Sequence, residues 1–194
     1  MICHSRRVLY LHPAKTAGTS VEKTLLKAEI GSTEPTNAQR QVFAVWTGDA
    51  RQHWPYGKLT QELPFLKEWP SFCTVRHPYS RAVSEFKYQL DYIGKADASE
   101  SHRLRDVNLA LASGDFFRCA DVWHADPQCS YIGPDTKLIR FENLAEDFFN
   151  AFGLVLDHHD FRARTESPMI LNDESKIILQ NRYARDFEIL EYLP

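Results

Sequence analysis

Val8 to Leu11 is a four-residue apolar run that stops at His12, gives way to the loop HPAKTAG and passes at once into helical periodicity. A run this short is the length of a buried strand, so the pattern predicts strand, loop from His12 to Gly18, and a helix to about Ile30. Val21, Leu25 and Ala28 form that helix's expected apolar stripe, and Thr19 with Glu22 makes a capping-box pattern at its start. The arrangement returns at Ser71 to Val75, where Arg76 and His77 are the strand exit and Pro78 opens a helix. Along that second helix Tyr79, Val83, Phe86 and Leu90 share one side, leaving Ser80, Ser84 and Lys87 on another. Lys137 to Arg140 reads as a further strand, followed by a helix with Leu144, Phe148 and Ala151 on its apolar face. Strands alternating with helices predict an α/β fold, a three-layer α/β/α stack around a mainly parallel sheet. In such sheets ligands sit beyond the carboxyl ends of the strands, where both exits lie.

The remaining segments read less sharply. Gly31 to Gln41, polar and holding Pro35, is expected to be a connecting loop, and Val42 to Trp46 a short strand. Arg51 to Lys58 reads as a loop, Lys95 to His102 as a polar segment, and Leu104 to Ala112 as a helix ending near Gly114. Asp173 to Leu190 reads as one last helix with Leu179, Tyr183, Phe187 and Leu190 on a face. The length of 194 residues suits a single domain, residues 1–194.

Composition limits the partners. A net charge of −3 provides no global positive field for nucleic acid, so any anionic ligand has to be held by local groups. No stretch approaches the roughly 20 apolar residues of a membrane span, and the apolar run in MICHSRRVLYLH is too short for a signal peptide. The cytoplasm is therefore the expected compartment, although a Golgi-lumenal domain separated from its anchor would read the same. Cys3, Cys73, Cys119 and Cys129 are too few for a disulfide scaffold. Cys73 falls inside a strand, and Cys119 and Cys129 are close enough to bridge in an oxidising compartment, with reduced thiols the default.

The first loop has the chemistry of an anion site. A helix start offers unpaired N–H groups and the positive end of the dipole, Gly18 permits close backbone approach, and Lys15 adds a charge. It is not the triphosphate loop G-x-x-x-x-G-K-[ST], because Lys15 precedes Gly18 and no glycine opens the motif. A plain capped helix accounts for the same residues, so on chemistry alone both readings stand.

With its neighbours the loop becomes more specific. RVLYLHPAKTAGTSVEKTL resembles the 5′-phosphosulfate-binding segment of the carbohydrate-type sulfotransferase family, written as a strand followed by HIPKTAGTS. FCTVRHPYSRAVSEFKY resembles that family's 3′-phosphate-binding segment, and DPQCSYI, LIRFENLAEDF and YARDFEILEY resemble its later motifs in order, so the likeness runs from Arg7 to Tyr192. One departure is Ala14, where the family usually has proline before the lysine. The resemblance implies a fold related to the P-loop nucleotide hydrolases and an enzyme that uses 3′-phosphoadenosine 5′-phosphosulfate (PAPS). It also implies a hydroxyl acceptor, with a carbohydrate or glycan the favoured class, and no metal. Its implied cofactor residues are Lys15, Thr16, Ala17, Gly18, Thr19 and Ser20 around the 5′-phosphosulfate, and Arg76 and Ser84 at the 3′-phosphate. Lys15 would steady the leaving oxygen.

In-line sulfuryl transfer also needs a base. His53 lies between the two phosphate segments, where related enzymes carry an active-site histidine; His12 and His77 are its rivals. Trp54 and Tyr56 are candidates for a stacking wall against an acceptor, or for ordinary loop packing. Arg162 and Arg164 are possible neighbours of an anionic acceptor but stay outside the expected site. Asp157-His158-His159-Asp160 and the set Cys119, His124, Cys129 carry metal-ligand types at unpersuasive spacing, so no metal site is assigned. Two other functions remain: a nucleotide-dependent small-molecule kinase, and a non-catalytic glycan-binding module on the same fold.

Overall fold

The structure is a computed structural model that describes residues 1–45, 51–96, 106–120, 123–156 and 169–194. In chain order it runs β1 (Ile2–Cys3), β2 (Val8–Leu11), α1 (Gly18–Ile30), α2 (Asn37–Phe43), α3 (Tyr56–Glu62), β3 (Ser71–Val75), α4 (Pro78–Ala96), α5 (Val107–Ser113), α6 (Asp115–Arg118), β4 (Lys137–Arg140), α7 (Leu144–Phe152), α8 (Asp173–Arg182) and α9 (Ala184–Ile189). Short 3₁₀ turns at Arg51–His53, Pro64–Glu68, Gln128–Tyr131 and Phe141–Asn143 fill the connections. This is an α/β protein. Its sheet has the order β1-β2-β3-β4, with β1 antiparallel to β2 and the other pairs parallel. Leu9 stands opposite Ser71, and Cys73 opposite Leu138.

The chain forms two compact units. The first comprises residues Met1–Arg76 and Ser130–Asp160 and contains the sheet. Every residue of β2 and β3 is buried, as strands covered on both faces require, and in β3 that includes the hydroxyls of Ser71 and Thr74. Val8, Tyr10, Phe72 and Ile139 face Val21, Leu25 and Leu26 of α1 and Phe148 and Phe152 of α7 in one core. Ala28 is exposed, so α1's buried face turns through Leu26 rather than following the expected i, i+4, i+7 stripe.

The second unit comprises residues His77–Cys129 and Phe161–Pro194. As the sequence indicates, α4 packs Tyr79, Val83, Phe86 and Leu90 into an apolar cluster, together with Leu179, Tyr183 and Phe187. It also buries a polar row that periodicity did not reveal: Arg81, Glu85 and Gln89 are all at most 4% exposed. Most of the row's partners are distant in sequence. Arg81 Nη2 donates to the carbonyls of His124 and Asp126 at 2.8 and 2.6 Å. Its Nη1 lies 3.8 Å from Asp186 Oδ2, and the two oxygens of Asp186 accept the N–H groups of Gln128 and Cys129, both at 2.8 Å. Glu85 holds His124 at 2.9 Å and accepts from Gln89. Thus Asp186 of YARDF pins Gln128 and Cys129 of DPQC, and Tyr183 pins the residue before DPQC, donating its hydroxyl to Ala125 O at 3.0 Å.

Several expectations need correcting. The polar stretch 31–41 is not all loop: Thr36 accepts from Gln39 N–H while Gln39 reaches back to the Thr36 N–H, a complete capping box that starts α2. That helix takes Val42 and Phe43, so the strand expected at Val42 to Trp46 does not form over its described residues; Trp46 lies outside them. The supposed loop Arg51 to Lys58 is a 3₁₀ turn followed by the start of α3. Thr19 does not cap α1, because Ala17 is the left-handed cap residue and Gly18 already begins the helix. The last helix is two, interrupted at Tyr183 (φ −113°, ψ 27°), whose carbonyl accepts from the N–H groups of Asp186 and Phe187 to restart the chain as α9. Residues 97–102, 104, 157–160, 162 and 164, on which other expectations rested, lie outside the described residues.

Candidate functional site

β2 delivers the chain to the loop at its carboxyl end, and the loop turns by an unusual backbone. Lys15 has φ 66° and Ala17 φ 68°, whereas Thr16 and Gly18 keep negative φ. Left-handed backbone is costly for residues that carry a Cβ, on the order of 1–3 kcal/mol each, and persists where surroundings impose it. Alternating hand over consecutive residues points successive N–H groups into one concavity, a geometry suited to an anion. The concavity ends at the start of α1, where Ala17 O accepts from Ser20 N–H (3.0 Å) and Val21 N–H (3.3 Å). Ser20's amide is therefore engaged inside the turn, which leaves Thr16, Ala17, Gly18 and Thr19 as the amides of the candidate cradle. Ala14, at the position where proline was expected, is buried at 1% exposure.

A buried file of hydroxyls supports this loop. Thr16 Oγ1 donates to Pro13 O at 2.7 Å, lies 2.8 Å from Thr74 Oγ1, and Thr74 Oγ1 lies 2.6 Å from Tyr10 OH. Each hydroxyl has one proton, so the direction follows: Tyr10 donates to Thr74, Thr74 to Thr16, and Thr16 to the Pro13 carbonyl. Burial pushes the Tyr10 phenol well above its usual range, against the hydrogen bond to Thr74, which keeps it a neutral donor. Thr16 consequently offers a ligand its amide rather than its side chain. Sequence reasoning missed Tyr10 and Thr74, though a hydroxyl within each fully buried run, VLYL and SFCTV, was a visible signal.

Arg76 leaves β3 beside the same loop. Its Nη1 donates to Lys15 O at 3.3 Å, and its guanidinium carbon stands 3.9 Å from the centre of the Phe141 ring. The structure therefore brings together Lys15, the helix start and Arg76. Ser84 is half-buried on α4 and belongs to the second unit.

Of the candidate bases, His53 turns its lone pair to a side-chain amide, whereas His77 spends its Nδ1 lone pair on the Tyr79 N–H. His53 is buried at 7% exposure in the 3₁₀ turn. Nδ1 lies 2.9 Å from His12 O, and since a carbonyl only accepts, Nδ1 carries the proton. Nε2 lies 3.1 Å from the Gln52 amide nitrogen and so accepts. The rivals are committed elsewhere. His12 is buried between Tyr10, His53 and Glu22, its Nδ1 3.2 Å from Glu22 Oε1. His77 Nε2 lies 3.0 Å from Leu193 O in the second unit.

Gly18 is also required for a reason independent of any ligand. Its φ is ordinary, but a Cβ there would lie 1.8–2.3 Å from three atoms of the His12 ring. The aromatic pair separates: Trp54 is buried with Lys58 Nζ 3.8 Å from its ring centre, whereas Tyr56 lines a cavity of about 380 Å³ with Lys67, Trp69 and Asp135. Among the described residues no group of three His, Cys, Asp or Glu side chains is placed to hold a metal ion. His124 pairs with Glu85, and no disulfide joins Cys119 to Cys129. No helix among the described residues is long and apolar enough to cross a membrane.

Comparison of the chain with protein-family models, curated proteins and solved structures returns no match.

Proposed function

We propose that this chain is a carbohydrate-type sulfotransferase, moving a sulfuryl group from PAPS to a hydroxyl of a carbohydrate acceptor, on a three-layer fold related to the P-loop nucleotide hydrolases. The observation that carries it is the left-handed pair Lys15 and Ala17 at the start of α1. That pair makes an amide cradle where the sequence resemblance puts the 5′-phosphosulfate. PAPS, when bound, supplies the sulfuryl group and the bisphosphate that departs.

The chain's own groups then divide the work. The amides of Thr16 to Thr19 donate to phosphate oxygens, and the Lys15 ammonium offsets charge gathering on the leaving oxygen. Arg76, steadied by Phe141 and tied to Lys15 O, is the 3′-phosphate ligand on the first unit, and the sequence resemblance gives Ser84 a 3′-phosphate role of its own. His53 takes the acceptor proton at Nε2, the nitrogen its bond to His12 O leaves unprotonated; the Gln52 amide gives way to the acceptor hydroxyl. A neutral imidazole suits this task near neutral pH.

The test is thermal unfolding with adenosine 3′,5′-bisphosphate. A ligand at a hundred times its Kd adds about 2.7 kcal/mol, which raises Tm by about 5–10 °C in a chain of this size. Lys15→Ala and Arg76→Ala should shrink that rise, and His53→Ala should preserve it while abolishing transfer of labelled sulfate from PAPS to a glycan panel. No rise at millimolar bisphosphate would sink the assignment.

A further inference from the structure

Neither the cradle nor the proton transfer uses Glu22, and its surroundings are unusual. It sits in the first turns of α1 with no exposed surface, and among the described residues neither carboxylate oxygen meets a donor in hydrogen-bonding geometry. A wholly buried carboxylate is costly unless a partner offsets it. Among the described residues two cationic or ionisable groups face it: His12 Nδ1 at 3.2 Å, off the hydrogen-bonding line, and the Met1 ammonium at 4.0 Å.

His12 in turn touches both halves of the site. The flat of its ring fills the space where a Gly18 side chain would stand, so the ring seats the first residue of α1. Its carbonyl accepts the Nδ1–H of His53, and the two rings meet edge-on at 4.6 Å. We propose that Glu22 is a positioning residue which, by holding the His12 ring, sets the seat of Gly18 under the anion cradle and the tautomer of His53 together. The first consequence concerns ligand affinity and rests on the sulfotransferase assignment; the second concerns the folded chain alone.

Glu22→Gln, nearly isosteric, removes the charge. Nitrogen-15 NMR of the imidazoles reads the tautomer directly, which a merely structural role would not move. In the wild type His53 should show protonated Nδ1 and bare Nε2; in Glu22→Gln the two shifts should move toward an average of tautomers. The Kd for adenosine 3′,5′-bisphosphate should rise about tenfold, as expected when binding groups are misplaced by a fraction of an ångström. In a His12→Ala background, adding Glu22→Gln should change neither readout further.

Gly18→Ala, which must push the ring aside with Glu22 intact, should reproduce the tautomer change and keeps the question open to measurement if Glu22→Gln fails to fold. An unmoved His53 spectrum in both variants, or equal effects of Glu22→Gln with and without His12, would overturn the proposal. A wild type that binds no bisphosphate, yet shows the coupled tautomer change, would instead remove the sulfotransferase assignment and leave this inference standing.

Discussion

Adding a single methyl group at Gly18 should cost stability out of proportion to its size. The new carbon would lie 1.8 Å from His12 Cδ2, 2.0 Å from Nε2 and 2.3 Å from Cγ. Restoring a carbon contact near 3.5 Å means moving the ring by roughly 1.5 Å. The ring has nowhere easy to go: it is 4% exposed, with Tyr10, His53 and Glu22 around it. Overpacking of this kind costs about 1–3 kcal/mol, against a helix-propensity gain of less than about 1 kcal/mol for alanine over glycine. The net loss should lower Tm by roughly 2–4 °C per kcal/mol. Gly57, in α3, is the internal control, since a Cβ there meets nothing within 4 Å and its φ is ordinary. Gly57→Ala should therefore be neutral or stabilising by up to about 1 kcal/mol. The assay is urea unfolding of both variants beside the wild type. If Gly18→Ala proves as stable as Gly57→Ala, the account of Gly18 as the seat of the His12 ring is wrong.

Three further outcomes are expected. Thr74→Val breaks the hydroxyl file and leaves Tyr10 O–H without its acceptor, so it should cost about 1–3 kcal/mol in urea unfolding, with little effect if the file is unimportant. Asp186→Asn strips the countercharge from buried Arg81 and turns an amide N–H toward backbone N–H groups; the expected loss is about 3–5 kcal/mol, and one below 1 would show that the Asp186 junction carries little of the second unit's stability. The Cys129 thiol is pushed up to about 11, by burial first and then by Asp186. Its folded value lies above the ordinary 9.0, so the stability linked to the neutral thiol is whole below pH 9 and fades as pH climbs through 11. Alkylation by iodoacetamide, followed by mass spectrometry, should still be accelerating above pH 9, and a plateau by that pH would refute the shift.

The two capping patterns show where local reading succeeds and fails. Thr36-x-x-Gln39 and Thr19-x-x-Glu22 have the same form, yet only the first is a capping box. Thr36 has no competing geometry, so its side chain and that of Gln39 find the nearest backbone donors. At Thr19 the chain has already turned through Ala17, which places Glu22 beyond the reach of the helix start and inside the core beside His12. The same limit hid the break at Tyr183. An apolar period runs unbroken through Leu179, Tyr183 and Phe187, and the position departs from helix where its hydroxyl reaches Ala125, a residue 58 positions away.

By itself the sequence determined the strands Val8–Leu11, Ser71–Val75 and Lys137–Arg140, the start of α4 at Pro78 and the stop of α5 at Gly114. These follow from short runs of strand-favouring residues, a locked proline φ and a glycine free to turn left-handed, all effects within a few residues. It also marked the loop from His12 to Ser20 as a place for an anion. Only the tertiary structure decided how that loop is held: Thr74 and Arg76, from a strand some sixty residues on, support Thr16 and Lys15. It likewise decided that His12 and Glu22 face inward and that His53 presents Nε2. Pairing between groups far apart along the chain depends on where the strands lie side by side, and no local pattern carries that information.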